Sequence, residues 1–404
     1  MQTRNAIFAE RALNANKNIV FADNEDIKMD IKDYKSGSYK QQYQYQSFMS
    51  SLVDHDWTLS DGNLLWLLSQ ADRKLGELNA FSQLVPDVDY FIQMHVSKEA
   101  TTSSRIEGTQ TNIEEALQKI ENIDPEKRDD WQEVQNYIQA MNQAIVSLRQ
   151  LPISGRLLKE THRTLLQGVR GAHKLPGEFR RSQNWIGGAS LKSAVFIPPH
   201  HDDVPDLMAD LERFLNDQSK PTPNLIKIGI AHYQFETIHP FLDGNGRIGR
   251  LLITLYLVSS GLLVKPSLYL SAFFEQHRQL YYDNLSRART HNDLTQWLKF
   301  FLEGIRLTSE NSIETFKAII ALRAECERAI LSLGKKTKLA QAALHLLYSK
   351  PILDGQDLAG GLSVNISTSL RLIDDLVRLG ILQESTGFKR NRVFVFHKYI
   401  ALFE

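Results

Sequence analysis

Residues 239–250, His-Pro-Phe-Leu-Asp-Gly-Asn-Gly-Arg-Ile-Gly-Arg, constrain this chain more than any other stretch. An apolar segment of helical period, 224–238, leads into them and another, 248–263, leads away. Pro240 disfavours the α conformation at His239, so the first helix should end there. Gly244 and Gly246 permit a tight loop whose backbone can approach a ligand closely. The chain then re-enters a helix at about Arg247, so the Gly244, Asn245 and Gly246 amides point from a helix N-terminus toward one spot. Free N–H groups and the positive end of the helix dipole coincide there, which makes an anion site. Arg247 and Arg250 add positive charge along the first turns. A histidine, a carboxylate, an amide cradle and two guanidiniums within one loop read as a polyphosphate site with a proton acceptor beside it.

This stretch resembles the signature of the Fic family, H-P-F-x-[D/E]-G-N-G-R-x-x-R, at every fixed position. The resemblance implies transfer of AMP from ATP to a Ser, Thr or Tyr hydroxyl of a target protein, with pyrophosphate leaving. It makes His239 the general base and Asp243 the ligand of Mg²⁺ or Mn²⁺, hard cations that take oxygen ligands. The backbone at Gly244, Asn245 and Gly246, with the Asn245 side chain, would hold the α- and β-phosphates. Arg247 would assist there, and Arg250 would reach the γ-phosphate. A plain helix–helix turn has no use for Asp, Asn and two Arg together. A metal hydrolase is the sharper alternative, since His232, Glu236 and His239 lie at i, i+4 and i+7. That spacing is not H-E-x-x-H, and Pro240 takes His239 off the helical face.

Helical periodicity begins near Ser60, and a second helix should run from about Asp87 toward Ser104. Its end reads Ser103-Ser104-Arg105-Ile106-Glu107-Gly108. On composition, Gly108 is a C-cap and Glu107 a solvated helix-end residue. The stretch also resembles the inhibitory motif of Fic proteins, [S/T]-x-x-x-E-[G/N], with Ser103, Glu107 and Gly108 at the fixed positions. That resemblance implies that Glu107 pairs with Arg250 and obstructs the γ-phosphate, with the inhibitory helix N-terminal to the catalytic core. It also leaves open removal of AMP, with Glu107 positioning water.

Further helices are expected at about 113–120, 128–148 and 155–166. Residues 177–188 then read as an extended segment with a glycine turn, and 191–197 as its partner strand, ended by Pro198 and Pro199. In the Fic family this segment is the flap, an edge that aligns a target protein by strand addition. The resemblance assigns the flap backbone at Ser193, Ala194, Val195 and Phe196 to the nucleotide. A helix is expected over 204–215, another over 273–289, and a long helical run over 294–333. Tyr282, in the second of these, stacks near adenine by position or is a core tyrosine.

From about Lys335 the pattern of helices at 340–347, 354–359 and 367–379, then a ribbon of 382–384 with 393–396, resembles a winged helix-turn-helix. The third helix carries Arg371 and Arg378 but also Asp374 and Asp375, so a DNA-binding role rests on Lys389, Arg390 and Arg392 of the wing. A protein-interaction or dimerisation module is the alternative, and a homodimer is compatible with it. The formal net charge of zero gives no global field toward nucleic acid or an acidic membrane. The single cysteine, Cys326, excludes an intramolecular disulfide and fits a reducing compartment. No secretory h-region is evident, and the most apolar stretch, 251–264, is too short for a bilayer. A cytoplasmic protein without membrane contact is expected.

The expected fold is mainly α, with a Fic-type helical core, a β-hairpin flap and a C-terminal winged helix-turn-helix. A polar segment at 1–45 precedes an N-terminal helical region at 46–125 that holds the inhibitory motif at 103–108. The core follows at 126–333, with the flap at 177–199 and the signature at 239–250, and the winged helix occupies 334–404. The expected function is an autoinhibited protein adenylyltransferase, self-modification included. The alternatives are a nucleotide-sensing, DNA-binding transcriptional regulator and a phosphocholine or phosphoryl transferase on the same scaffold.

Overall fold

A computed structural model describes residues 28–85, 87–387 and 392–404. Within the polar segment expected at 1–45, the described residues form strands, and these belong to two small sheets. β1 (Lys28–Asp30) pairs in parallel with β4 (Asp56–Thr58), and β2 (Gly37–Gln41) pairs antiparallel with β3 (Gln46–Ser50). β2 is polar and exposed along most of its length, so it shows no period-2 signal; its partner β3 supplies the buried face. The expected polar segment at 1–27 lies outside the described residues.

The helices follow the apolar spacing. α1 (Gly62–Leu84) starts where the Asp61 side chain accepts from the Leu64 amide, and it buries Leu64, Leu68, Leu75 and Leu78. α2 (Val88–Ile106) is buried along most of its length, Ser103 and Ser104 included. α3 (Ile113–Leu117) begins with an Asn112–Glu115 capping box and ends short of the expected residue 120, where Ile120–Asn122 is a 3₁₀ turn. α4 (Arg128–Ser147), α5 (Gly155–Leu165) and α6 (Val204–Asn216) complete one side of the core.

At the centre stand α7 (Asn224–Ile238) and α8 (Asn245–Ser259). Every residue of α7 from Leu225 to Ile238 is buried, the polar Lys227, His232, Gln234, Glu236 and Thr237 included. The expected helix at 273–289 is broken at His277, giving α9 (Ser271–Gln276) and α10 (Arg278–His291). α11 (Leu294–Ile330) is the long run, and it packs along α1. No helix among the described residues is long and apolar enough to cross a membrane.

The last unit holds α12 (Thr337–Ser349), α13 (Gly355–Leu362), α14 (Ile366–Arg378) and α15 (His397–Ile400). Its antiparallel sheet runs β5 (Ile352–Asp354), β7 (Val393–Val395), β6 (Gln383–Glu384) in spatial order. Sequence patterning missed β5, three residues between two helices. This unit lies directly on α2. Phe91 of α2 meets Tyr348 and Tyr399 with ring centroids 5.7 and 6.2 Å apart, and His95 meets Phe403 at 5.1 Å. Lys119 adds ion pairs to Asp354 and Asp357, both at 2.9 Å. Lys389 and Arg390 lie outside the described residues; Arg392 pairs with Glu384 and Asp374, and Arg378 with Asp375.

Candidate active site

His239 ends α7 in the left-handed region, at φ 50° and ψ 60°. A non-glycine residue there costs about 1–2 kcal/mol, so neighbouring contacts must hold it. They come from the segment after α5. Arg180 donates through Nε to the His239 carbonyl at 3.0 Å and through Nη2 to those of Ile238 and Pro199. Asn184 donates to the His239 and Phe241 carbonyls at 3.1 and 2.9 Å. Asn245 closes the loop from the other side: its side chain accepts from the Phe241 amide and donates to the Phe241 carbonyl. Both polar ends of that side chain are thus engaged with the loop.

His162 supports the floor of the loop. Its ring stacks on Phe241 at 3.8 Å between centroids, its Nδ1 accepts from the Gly177 amide, and its Nε2 lies 3.0 Å from the Asp243 carbonyl. With Nδ1 accepting, a neutral ring carries its proton on Nε2 and donates to that carbonyl. Burial keeps the ring neutral by drawing its pKa down to about 4. Burial does the same to His239, also about 4, and leaves its Nδ1 without a hydrogen-bond partner.

Gly244, at φ 73°, supplies the left-handed turn that starts α8. Its amide donates to the Asp243 carboxylate at 2.6 Å, and that carboxylate remains 43 % exposed. The amides of Asn245, Gly246 and Arg247 form the open first turn. A carboxylate of the protein lies over it: a Cβ at Gly246 would stand 2.2 Å from Glu107 Oε1. Glu107 is the C-cap of α2, and Gly108 follows at φ 108°, where a side chain would be strained.

Arg250, one turn further along α8, is buried and bonded through Nε and Nη2 to the end of α2. Its Nε donates to Ser103 Oγ at 2.9 Å, and its Nη2 to the Ser103 carbonyl at 2.9 Å and to Glu107 Oε1 at 2.8 Å. Burial would raise the Glu107 pKa, but the adjacent guanidinium prevails and holds it below the ordinary carboxylate value. Arg247 faces Glu133 at 3.4 Å and Asp243 at 3.7 Å, and Arg170 holds the other oxygen of Glu133 at 2.8 Å.

Two features differ from the expectation. The flap at 177–199 is not a pair of strands: one antiparallel bridge joins Ile186 to Phe196, and Leu191–Ser193 is a 3₁₀ turn. Ser193 and Val195 are exposed and Ala194 partly so, while Phe196 is buried against Phe48 and under the Arg289 guanidinium, 4.0 Å away. The flap also accepts at the Ile197 carbonyl from Phe48, so β3 extends it. The metal set of the hydrolase alternative does not form, because His232 bonds the Gly249 carbonyl and the Tyr281 hydroxyl, both at 2.9 Å. Tyr282 is exposed, next to that buried Tyr281, with ring centroids 5.1 Å apart. Sequence reasoning missed Arg180, Asn184, His162 and Glu133; each acts from a separate segment, and none stands in a motif.

Residues 65–146 match the Fic/DOC family N-terminal region and residues 152–257 the Fic/DOC family domain. Protein adenylyltransferase Fic of Drosophila melanogaster is 32 % identical over 183 residues, 45 % of this chain and 34 % of that protein. The protein of the same name from Drosophila grimshawi is 29 % identical over 252 residues, 61 % of this chain and 48 % of that protein. The chain therefore spans between a third and a half of the length of these relatives. A crystal structure of a Fic family protein from Desulfovibrio desulfuricans has the same fold. It superposes with a TM-score of 0.53 at 21 % identity, over 84 % of this chain and 97 % of that one.

Proposed function

We propose that this chain, which belongs to the Fic/DOC family, transfers AMP from ATP to a hydroxyl of a protein and is held in check by Glu107. The carrying observation is the convergence, on one loop, of a neutral histidine, an exposed carboxylate, the open first turn of α8 and Arg250. The chemistry is an in-line displacement. The hydroxyl oxygen bonds to the α-phosphorus, the bond to the β-phosphate oxygen breaks, and pyrophosphate leaves. His239 takes the hydroxyl proton; its low pKa keeps a free lone pair available at neutral pH. The open first-turn amides of Asn245 and Gly246 would hold phosphate oxygens, with Arg247 beside them; the Gly244 amide would join them only if it left Asp243, and Arg250 would meet the γ-phosphate.

Asp243 suits Mg²⁺ or Mn²⁺: one exposed carboxylate beside a phosphate site is the way such ions are commonly held, with the phosphates completing the shell. When bound, the ion neutralises charge on the phosphates. Tyr282, exposed beside Tyr281, would stack on adenine. The exposed flap backbone at Ser193, Ala194 and Val195 supports docking of the nucleotide and of an extended target segment, the protein itself included. Glu107 at the same turn would also place a water for removal of AMP.

The test is incorporation of label from α-labelled ATP. His239→Ala should lose transfer by several orders of magnitude while ATP binding persists, since the phosphate contacts are untouched. Full transfer by that variant would overturn the assignment.

A further inference from the structure

A second cavity, of about 320 Å³, lies on the far side of α2, walled by α2, by residues 269–277 and by α11. It does not contain the signature loop. Its most telling group is Lys98, half-buried and without an ion-pair partner among the described residues. Burial, and then Arg105, lower its pKa, so the ammonium lacks a compensating anion.

The one carboxylate on the same wall is not available to it. Glu99 accepts from Tyr137 at 3.0 Å and from the Ser271 hydroxyl and amide at 2.5 and 3.3 Å. Those bonds turn the Glu99 carboxyl toward Tyr137 and Ser271, and no ion pair joins it to Lys98 among the described residues. Two further buried groups line it with polar atoms unsatisfied, His95 Nε2 and the Tyr269 hydroxyl, respectively 7 % and 8 % exposed as residues. Unpartnered polar atoms in such places call for a ligand or water. Thr308, Asn311 and Ser312 of α11 add hydroxyls and an amide opposite. The volume lies within the range of small-molecule sites.

We propose that this cavity binds a small polyhydroxy anion, a sugar phosphate or a sugar acid, with Lys98 as its charge partner and the α11 side chains on its hydroxyls. The site stands on its own residues and does not depend on the AMP-transfer reading.

Calorimetric titration of the full chain with glucose 6-phosphate and with gluconate tests it, with glucose as the neutral control. At least one anion should bind saturably, and glucose about tenfold or more weaker. Lys98→Met should weaken the anion about tenfold or more, whereas Lys98→Arg should stay within a few-fold of wild type. Thr308→Trp, which projects a large ring into the cavity, should abolish binding. Arg247→Ala should leave it unchanged, which separates this site from the phosphate loop. The proposal fails if neither anion saturates, if either weakening variant binds like wild type, or if glucose binds as well as its phosphate. It fails equally if Arg247→Ala removes the binding.

Discussion

Replacing Glu107 with Gly removes one of the three hydrogen bonds that occupy Arg250 and the carboxylate that lies against Gly246 in the first turn of α8. A charge-assisted hydrogen bond contributes roughly 1.5–3 kcal/mol, and the lower end applies because the Glu107 side chain is 36 % exposed. The guanidinium does not become an orphan, since Ser103 still accepts from Nε and Nη2. The fold should therefore survive with a small drop in melting temperature. Freed of its competitor, the γ-phosphate should gain the same ~1.5 kcal/mol, on the order of tenfold in affinity or in AMP incorporation. The assay is incorporation of labelled AMP into the protein itself, with intact mass to confirm the group transferred, together with ATP titration of both proteins. Arg250→Ala serves as the contrast: it removes the lock and the phosphate ligand together and should show no gain. Equal incorporation and equal ATP affinity for wild type and Glu107→Gly would show that Glu107 merely ends a helix.

Three more expectations are open to measurement. Asp243→Ala, or a chelator on the wild type, should abolish transfer while leaving the melting temperature within a degree or two; activity surviving excess chelator would refute a metal role for Asp243. Gly249→Ala places a methyl 2.2 Å from the buried Glu236 Oε1 and 3.1 Å from Phe235, so overpacking should cost about 1–3 kcal/mol of stability by denaturant unfolding. Stability should also depend on pH with a definite sign. Burial lowers the pKa of His95, His232, His162 and His239 to between about 3 and about 4, so between there and 6.5 the unfolded chain binds more protons and stability falls as pH drops. Glu99 and Glu236, raised to about 7, act oppositely between 4.5 and 7, where the folded chain binds more protons. Four histidines against two carboxyls leave a net two protons, a slope of at most about 2.7 kcal/mol per pH unit between pH 4.5 and 6.5. Stability that rose on acidification through that window would contradict the burial of these rings.

The loop at 239–250 was legible because its chemistry is local. Proline, glycines and charges within one turn dictate both where the helices stop and what the turn can hold. The partner of Arg250 was legible only through the resemblance of residues 103–108 to a motif, since nothing in the composition of that stretch distinguishes a lock from a cap. Arg180, Asn184 and His162 were not legible. They act through backbone carbonyls brought close by tertiary folding, and a donor to a carbonyl leaves no spacing pattern. The flap misled for a related reason: its two arms meet only around Ile186 and Phe196, and the Ile197 carbonyl accepts from Phe48 of β3, a contact that no local pattern announces. β2 and β5 were missed because short strands have too few residues to show a period.

The arrangement around α2 has a consequence for how the lock can open. Aromatic residues of the C-terminal unit cover Phe91 and His95, Glu99 is tied to Tyr137 and Ser271, and Arg278 donates to the Ile106 carbonyl at 2.8 Å. Peeling the helix away would break all of these at once, a sub-global opening with a free energy near that of unfolding. A rotation of the Glu107 side chain, at the solvent-facing last turn, breaks only one. Release of the proposed lock by the second route would leave the amides of residues 95–104 equally slow to exchange with deuterium in wild type and in Glu107→Gly, with the helix a fixed post and a single rotamer as the switch.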